Sequence, residues 1–234
     1  MKKDIWKVIL RKTFVFLMLV LIWQFIFLVI KDSFLVPAPE SVFRRLFTLL
    51  GDAVFWKTIL YSFSRVAISF IIGVVFGIVF SAVMGLKKLA NDFLSLVILI
   101  IQSVPVVAFI TLVLVWVKSE YIPLLISVLS VCPLVVRNLR AGMKSISAQK
   151  IFSESTVKSV KPFLFASCRS GSALAFKSCI AAEVLAKTDI SIGGNIAAAK
   201  DSNDTVLLFC WIVVVVILSI VLDFLSVRVF RENF

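Results

Sequence analysis

Histidine is absent from these 234 residues, so neither an imidazole metal site nor a Ser-His-Asp triad is available. Acidic residues are scarce as well: the 13 Asp and Glu lie mostly in short gaps between apolar runs. The four cysteines, Cys132, Cys168, Cys179 and Cys210, sit in or beside apolar segments, and none forms a C-x-x-C pair. A disulfide needs an oxidising compartment and close geometry, and here the cysteines read as small buried apolar residues. Nothing of the form G-x-x-x-x-G-K-[ST] occurs, so the chain has no phosphate loop with which to bind ATP. Nucleophilic side chains exist, but no base converges on them. No catalytic residue, metal ligand or bound cofactor is assigned.

What the chain has instead is apolar surface. Hydrophobic residues make up 61% of it, with 22 Phe, against roughly 45–50% apolar in globular proteins. A soluble domain of this size cannot hide that much, so the excess calls for lipid. The net charge of +12 does not indicate nucleic acid, because the basic residues flank apolar runs instead of forming a face on a polar domain. Lys2, Lys3, Lys7, Arg11 and Lys12 precede the first run, as in a signal peptide. Bulky residues follow Trp23, Gln24 and Phe25 where a cleavage site would need small ones, so a retained membrane helix is expected.

A membrane helix takes about 20 mostly apolar residues. Six segments qualify or nearly do: 13–30, 58–85, 93–117, 121–136, 162–186 and 205–227. The fourth is the shortest, and Pro123 and Pro133 interrupt it. Six spans place both termini on one side. With that side cytoplasmic, the inner segments carry 15 Lys and Arg against 7 outside, which follows the usual excess of basic residues in cytoplasmic loops. An all-α polytopic protein of about six transmembrane helices is expected.

Within the spans, Ser69, Gly73, Gly77, Ser81 and Gly85 recur every fourth residue, a spacing that lets two helix backbones approach closely. Gln102, Ser103 and Pro105 interrupt the third span, either to line a cavity or as a purely structural kink. Arg65, Lys177 and Glu183 are intramembrane charges and therefore translocation-path candidates together with Gln102 and Ser103; for Arg65, snorkelling to the outer interface is the competing role. Six residues separate Lys177 from Glu183, so each needs a partner on another helix or in a polar cavity. Ser191-Ile192-Gly193-Gly194-Asn195 can turn sharply, into a re-entrant element or an ordinary outer loop.

In order and spacing, several blocks resemble the membrane permease subunits of binding-protein-dependent ABC importers of the nitrate, sulfonate, taurine and bicarbonate branch, from about residue 14 to 228. They are Leu35-Val36-Pro37-Ala38-Pro39-Glu40-Ser41-Val42, the stretch from Thr58 to Val66 with the glycine ladder after it, and the proline-led run from Pro105 to Trp116. Arg140-Ala141-Gly142 and the block from Ala175 to Leu185, followed by Ser191-Ile192-Gly193 and Asp204-Thr205, complete the pattern. The resemblance implies a type I ABC importer permease-like fold: one transmembrane permease domain over 1–234 in the bacterial inner membrane. It implies a second permease subunit, as a homodimer, two ABC ATPase subunits that use the ATP, an external solute-binding protein, the lipid bilayer and no nucleic acid. Transport would proceed by alternating access.

The cytoplasmic coupling loop, 137–161, departs from the family pattern. Glu154 is followed by Ser155 and Thr156 where the family has Ala-Ala, and Val160 stands where Gly is expected. Pro162 comes 8 residues after Glu154, where the pattern puts its proline about 15 residues later; roughly 22 Å of helical path is missing. Lys150, Glu154, Ser155, Thr156, Lys158 and Lys161 are the candidate ATPase contacts. A working but abbreviated contact and a degenerate, non-coupling scaffold remain alternatives, as does a secondary transporter.

Overall fold

The computed structural model describes residues 2–143 and 154–231, and every regular element among them is an α-helix. The order is α1 (Lys2–Ile30), α2 (Pro39–Leu50), α3 (Ala53–Leu86), α4 (Lys88–Ser103), α5 (Val106–Val113), α6 (Ile122–Met143), α7 (Glu154–Ala186), α8 (Ile192–Asp201) and α9 (Thr205–Arg231).

Local chemistry sets most of these ends. Lys31 adopts φ 53°, the left-handed conformation that closes α1. Pro39 opens α2, where its missing N–H is no loss. Asp52, Ser191 and Asp204 accept N–H groups from the first turns of α3, α8 and α9. Pro123 stands at the start of α6 and Pro133 lies inside it without ending it, and the helix runs to Met143, seven residues past the expected 121–136. At Pro105 the expected kink is a full break: Val104 is extended, as a residue before proline prefers, and α4 and α5 meet at 97°.

α6 is the axis of the bundle. On one side it runs parallel to α3, where Ser69 meets Ser127, Gly73 meets Val131 and Gly77 meets Val135. On the other it runs antiparallel to α7, with Gly142 against Phe163 and Ser127 bonded to the Ala175 carbonyl. Because α3 and α6 point the same way, the bent α4–α5 pair must carry the chain back across the length of the bundle. α9 returns beside α1 and α3: Trp23 stacks on Phe209, Phe55 stacks on Trp211, and Thr205 Oγ1 donates to the Phe34 carbonyl at 2.7 Å.

Three helices are long and apolar enough to cross a membrane, Ala53–Leu86, Ile122–Met143 and Thr205–Val229, or four if the bent pair counts as one span. The expectation of six is met by length and composition only that far. The apolar part of α1, Phe14–Ile30, is short, and α7 carries Arg169, Lys177 and Glu183. α7 also begins at Glu154, so Pro162 lies inside a helix and does not mark the start of a span. Leu60, Ile71, Val75, Ile220 and Phe224, on α3 and α9, are among many large apolar side chains left exposed, as a lipid-facing surface requires.

Candidate functional site

The best-defined constellation of polar groups lies where α3, α7 and α8 meet. Glu183, three residues from the end of α7, is fully buried. Ser62 Oγ lies 2.9 and 2.8 Å from its two carboxylate oxygens, sharing one proton between them, and accepts the Ile192 N–H at 2.9 Å. The Gly193 N–H donates to Oε2 at 3.1 Å, so the carboxylate also sits on the positive end of α8. Arg65 completes the set at 3.3 Å from Oε1.

Arg65 does more than neutralise. Its guanidinium also donates to the carbonyls of Ile190 and Asp189, at 3.3 and 3.4 Å. Lys187 and Ile190 hold φ of 47° and 42° in this joint, a costly conformation for a β-branched residue such as Ile190. The joint is clamped from a third direction by Thr188 Oγ1, which donates to the Ser119 carbonyl at 3.2 Å. Gly193 has no room for a side chain, because a Cβ there would collide with Glu183 and the Val184 backbone. The whole forms a latch that fixes α8 against α3 and α7.

Of the expected path residues, the structure brings Arg65 and Glu183 together. The two close on each other: both carboxylate oxygens of Glu183 are hydrogen-bonded within the protein, and half-buried Arg65 reaches from Glu183 to the exposed carbonyls of the α7–α8 joint. Lys177, six residues before Glu183, is exposed on α7 and does not share in the latch. Gln102 and Ser103 are exposed at the α4–α5 break; Ser103 Oγ donates to its own helix at the Leu99 carbonyl, 2.7 Å away. Gln102 borders a cleft of about 230 Å³ between the break, α6 and Leu174 of α7.

The small-residue ladder is buried at Ser69, Gly73, Gly77 and Ser81 but not at Gly85, where Met84 is buried instead. A strict step of four residues advances about 40° beyond a full turn of 3.6, so the ladder drifts off the packed face. A Cβ on Gly77 would lie 2.5 Å from that of Val135, and one on Gly73 2.8 Å from that of Val131. Ser69 Oγ is 2.8 Å from Ser127 Oγ, which donates to the Ala175 carbonyl at 3.3 Å, a polar thread through three helices.

Of the coupling candidates, Lys150 lies outside the described residues. Glu154, Ser155 and Thr156 form the first turn of α7, Lys158 is exposed there, and Lys161 stands 5.5 Å from the Phe165 ring. Among the described residues, no three His, Cys, Asp or Glu come together as a metal site.

Ser62, the N–H groups of Ile192 and Gly193, and the Asn91–Arg140 bond at 2.8 Å between α4 and α6 escaped the sequence reading. Ser62 had a signal: it continues the buried face of α3 through Thr58, Ser62, Val66 and Ser69 at helical period.

An all-α body with several membrane-length apolar helices around a buried ionic latch defines the class, a polytopic helical membrane protein. No family model matches the chain. It is similar to the taurine transport system permease protein TauC of Escherichia coli strain K12, 23% identical over 220 residues that cover 86% of this chain and 80% of that protein. The chain is in that sense permease-like.

Proposed function

We propose that the chain is a permease subunit of a binding-protein-dependent ABC import complex in the bacterial inner membrane. It forms half of an alternating-access path for a small solute of the nitrate, sulfonate, taurine or thiamine-precursor type, and a separate ATPase supplies the drive. The observation that carries this reading is the similarity to a transport permease over 86% of the chain. The helix directions support six crossings, because α1, the α4–α5 pair and α7 run opposite to α3, α6 and α9. Both termini then lie on the cytoplasmic side, where the basic residues concentrate. A second copy of the chain, two ATPases and an external solute-binding protein complete the complex.

In this reading Gln102, Ser103 and Lys177 lie on or beside the path, and the Arg65–Glu183 latch holds its outer wall. The first turns of α7, with Glu154, Ser155, Thr156, Lys158 and Lys161, meet the ATPase together with Lys150. The decisive experiment combines copurification of an ATPase subunit with ATP-dependent solute uptake in proteoliposomes. Copurification and uptake are expected. A well-folded chain that binds no ATPase, even after crosslinking around Lys158, would overturn the coupled importer and leave the scaffold reading, which the short Glu154-to-Pro162 interval favours. Uptake driven by an ion gradient without ATP would make it a secondary transporter.

A further inference from the structure

We propose that the cleft at the α4–α5 break is a binding site for a small organic anion, with the Arg137 guanidinium holding its oxyanion head. The proposal rests on the permease reading only in calling that ligand a transported solute. The cleft walls are mainly apolar, from Val104, Phe109, Ile126, Leu129 and Leu174, and the polar groups among them are few: Gln102, Ser130 and Arg137. That is the general form of a small-ligand site, and a volume of about 230 Å³ falls below the roughly 300–1,000 Å³ of drug-sized pockets. The ligand is therefore small.

Its sign follows from the charges. Arg137 is the one ionised residue in the lining, and among the described residues no carboxylate pairs with it. One turn further along α6, Arg140 differs, because its guanidinium is engaged by Asn91. Ser130 Oγ spends its proton on the Ile126 carbonyl at 2.9 Å, which leaves Arg137 and Gln102 as the side-chain donors of the lining. From Ile126 to Arg137 the cleft follows about 16 Å of α6, through the middle and inward half of the helix. Arg137 is exposed, so its guanidinium is open to a ligand, and its planar fork fits a head with two oxygens. The apolar walls suit a short hydrocarbon body behind that head.

The experiment uses the full chain in phosphatidylcholine nanodiscs, titrated calorimetrically with butane-1-sulfonate, butanoate and the neutral butane-1-sulfonamide. Both anions are expected to bind and the sulfonamide is not. Arg137→Gln should weaken anion binding about tenfold or more, Arg137→Lys less, and Arg44→Gln on the exposed face of α2 not at all. Gln102→Leu, which removes another polar group of the lining, provides a second variant should Arg137→Gln fail to fold, and it should weaken binding measurably. Equal binding of the neutral probe, wild-type affinity in folded Arg137→Gln, or absence of any anion binding would overturn the proposal. So would displacement of the anions by phosphatidylglycerol in the discs, which would give the guanidinium to a lipid headgroup. Binding is measured on this chain without an ATPase, so its failure leaves the import-complex test untouched, and a failed import test leaves a measured anion site standing.

Discussion

α6 has two unlike flanks. Against α3 it is packed backbone to backbone over Gly73 and Gly77, with Val131 and Val135 filling the space that side chains would occupy. Against α4 it is looser: no residue of α4 is fully buried, and a cleft lies at the break, although beyond it Ile110 and Val113 of α5 are buried with Ile122 and Ile126. In hydrocarbon, helix association draws on close contact and hydrogen bonds and little on apolar burial. The small residues of α3 supply close contact, whereas the large side chains of α4 hold that helix at a distance. One helix can thus be a fixed post on one side and the wall of a solvent-accessible space on the other.

Gly77→Val should break the comparison most severely, because two branched side chains would compete for one space. Loss of the fold in detergent, or destabilisation by about 3 kcal/mol or more, is expected from overpacking, measured by denaturant titration. Arg65→Ala comes next: Glu183 would remain buried without its counter-charge, at a cost of about 3 kcal/mol. Hydrogen exchange should then rise across 187–201 before the α3–α6 seam responds. Ser127→Ala removes the link between Ser69 and Ala175 and should cost about 0.6 kcal/mol, the average for interhelical bonds in membranes. Gly85→Ala tests the drift of the ladder: off the packed face, it should be neutral or gain up to about 1 kcal/mol from helix propensity. A loss as large as that at Gly77 would put Gly85 back on the seam.

Helix positions and the packed face of α3 were legible in the sequence, because apolar length and small-residue spacing are local signals. The extent of the break at Pro105 was less so, since a proline announces a kink but the chain around it decides the angle. The latch was half legible. Glu183 and Arg65 stood out as charges in apolar surroundings, yet 118 residues separate them, and no periodicity joins α3 to α7. Ser62 looked like an ordinary small residue until α8 brought its N–H groups to the same point. Cation placement was the least legible: Lys177 drew notice by its depth, while Arg137, at the edge of a basic segment, was counted only as a loop charge.

α7 is held at several points along its length. Phe163 presses on Gly142, Glu183 is held in the latch, and Gly171, between the two, rests on Phe70 and Val131 at 3.4 and 3.6 Å from where its Cβ would stand. Phe163 and Glu183 are about 30 Å apart along the helix. Between them Ala175, Phe176, Cys179 and Ile180 are buried in one core with Val131 and Val135, so this rod is seated along its length. One continuously packed helix thus joins the latch at one end to the Gly142 contact on α6 at the other.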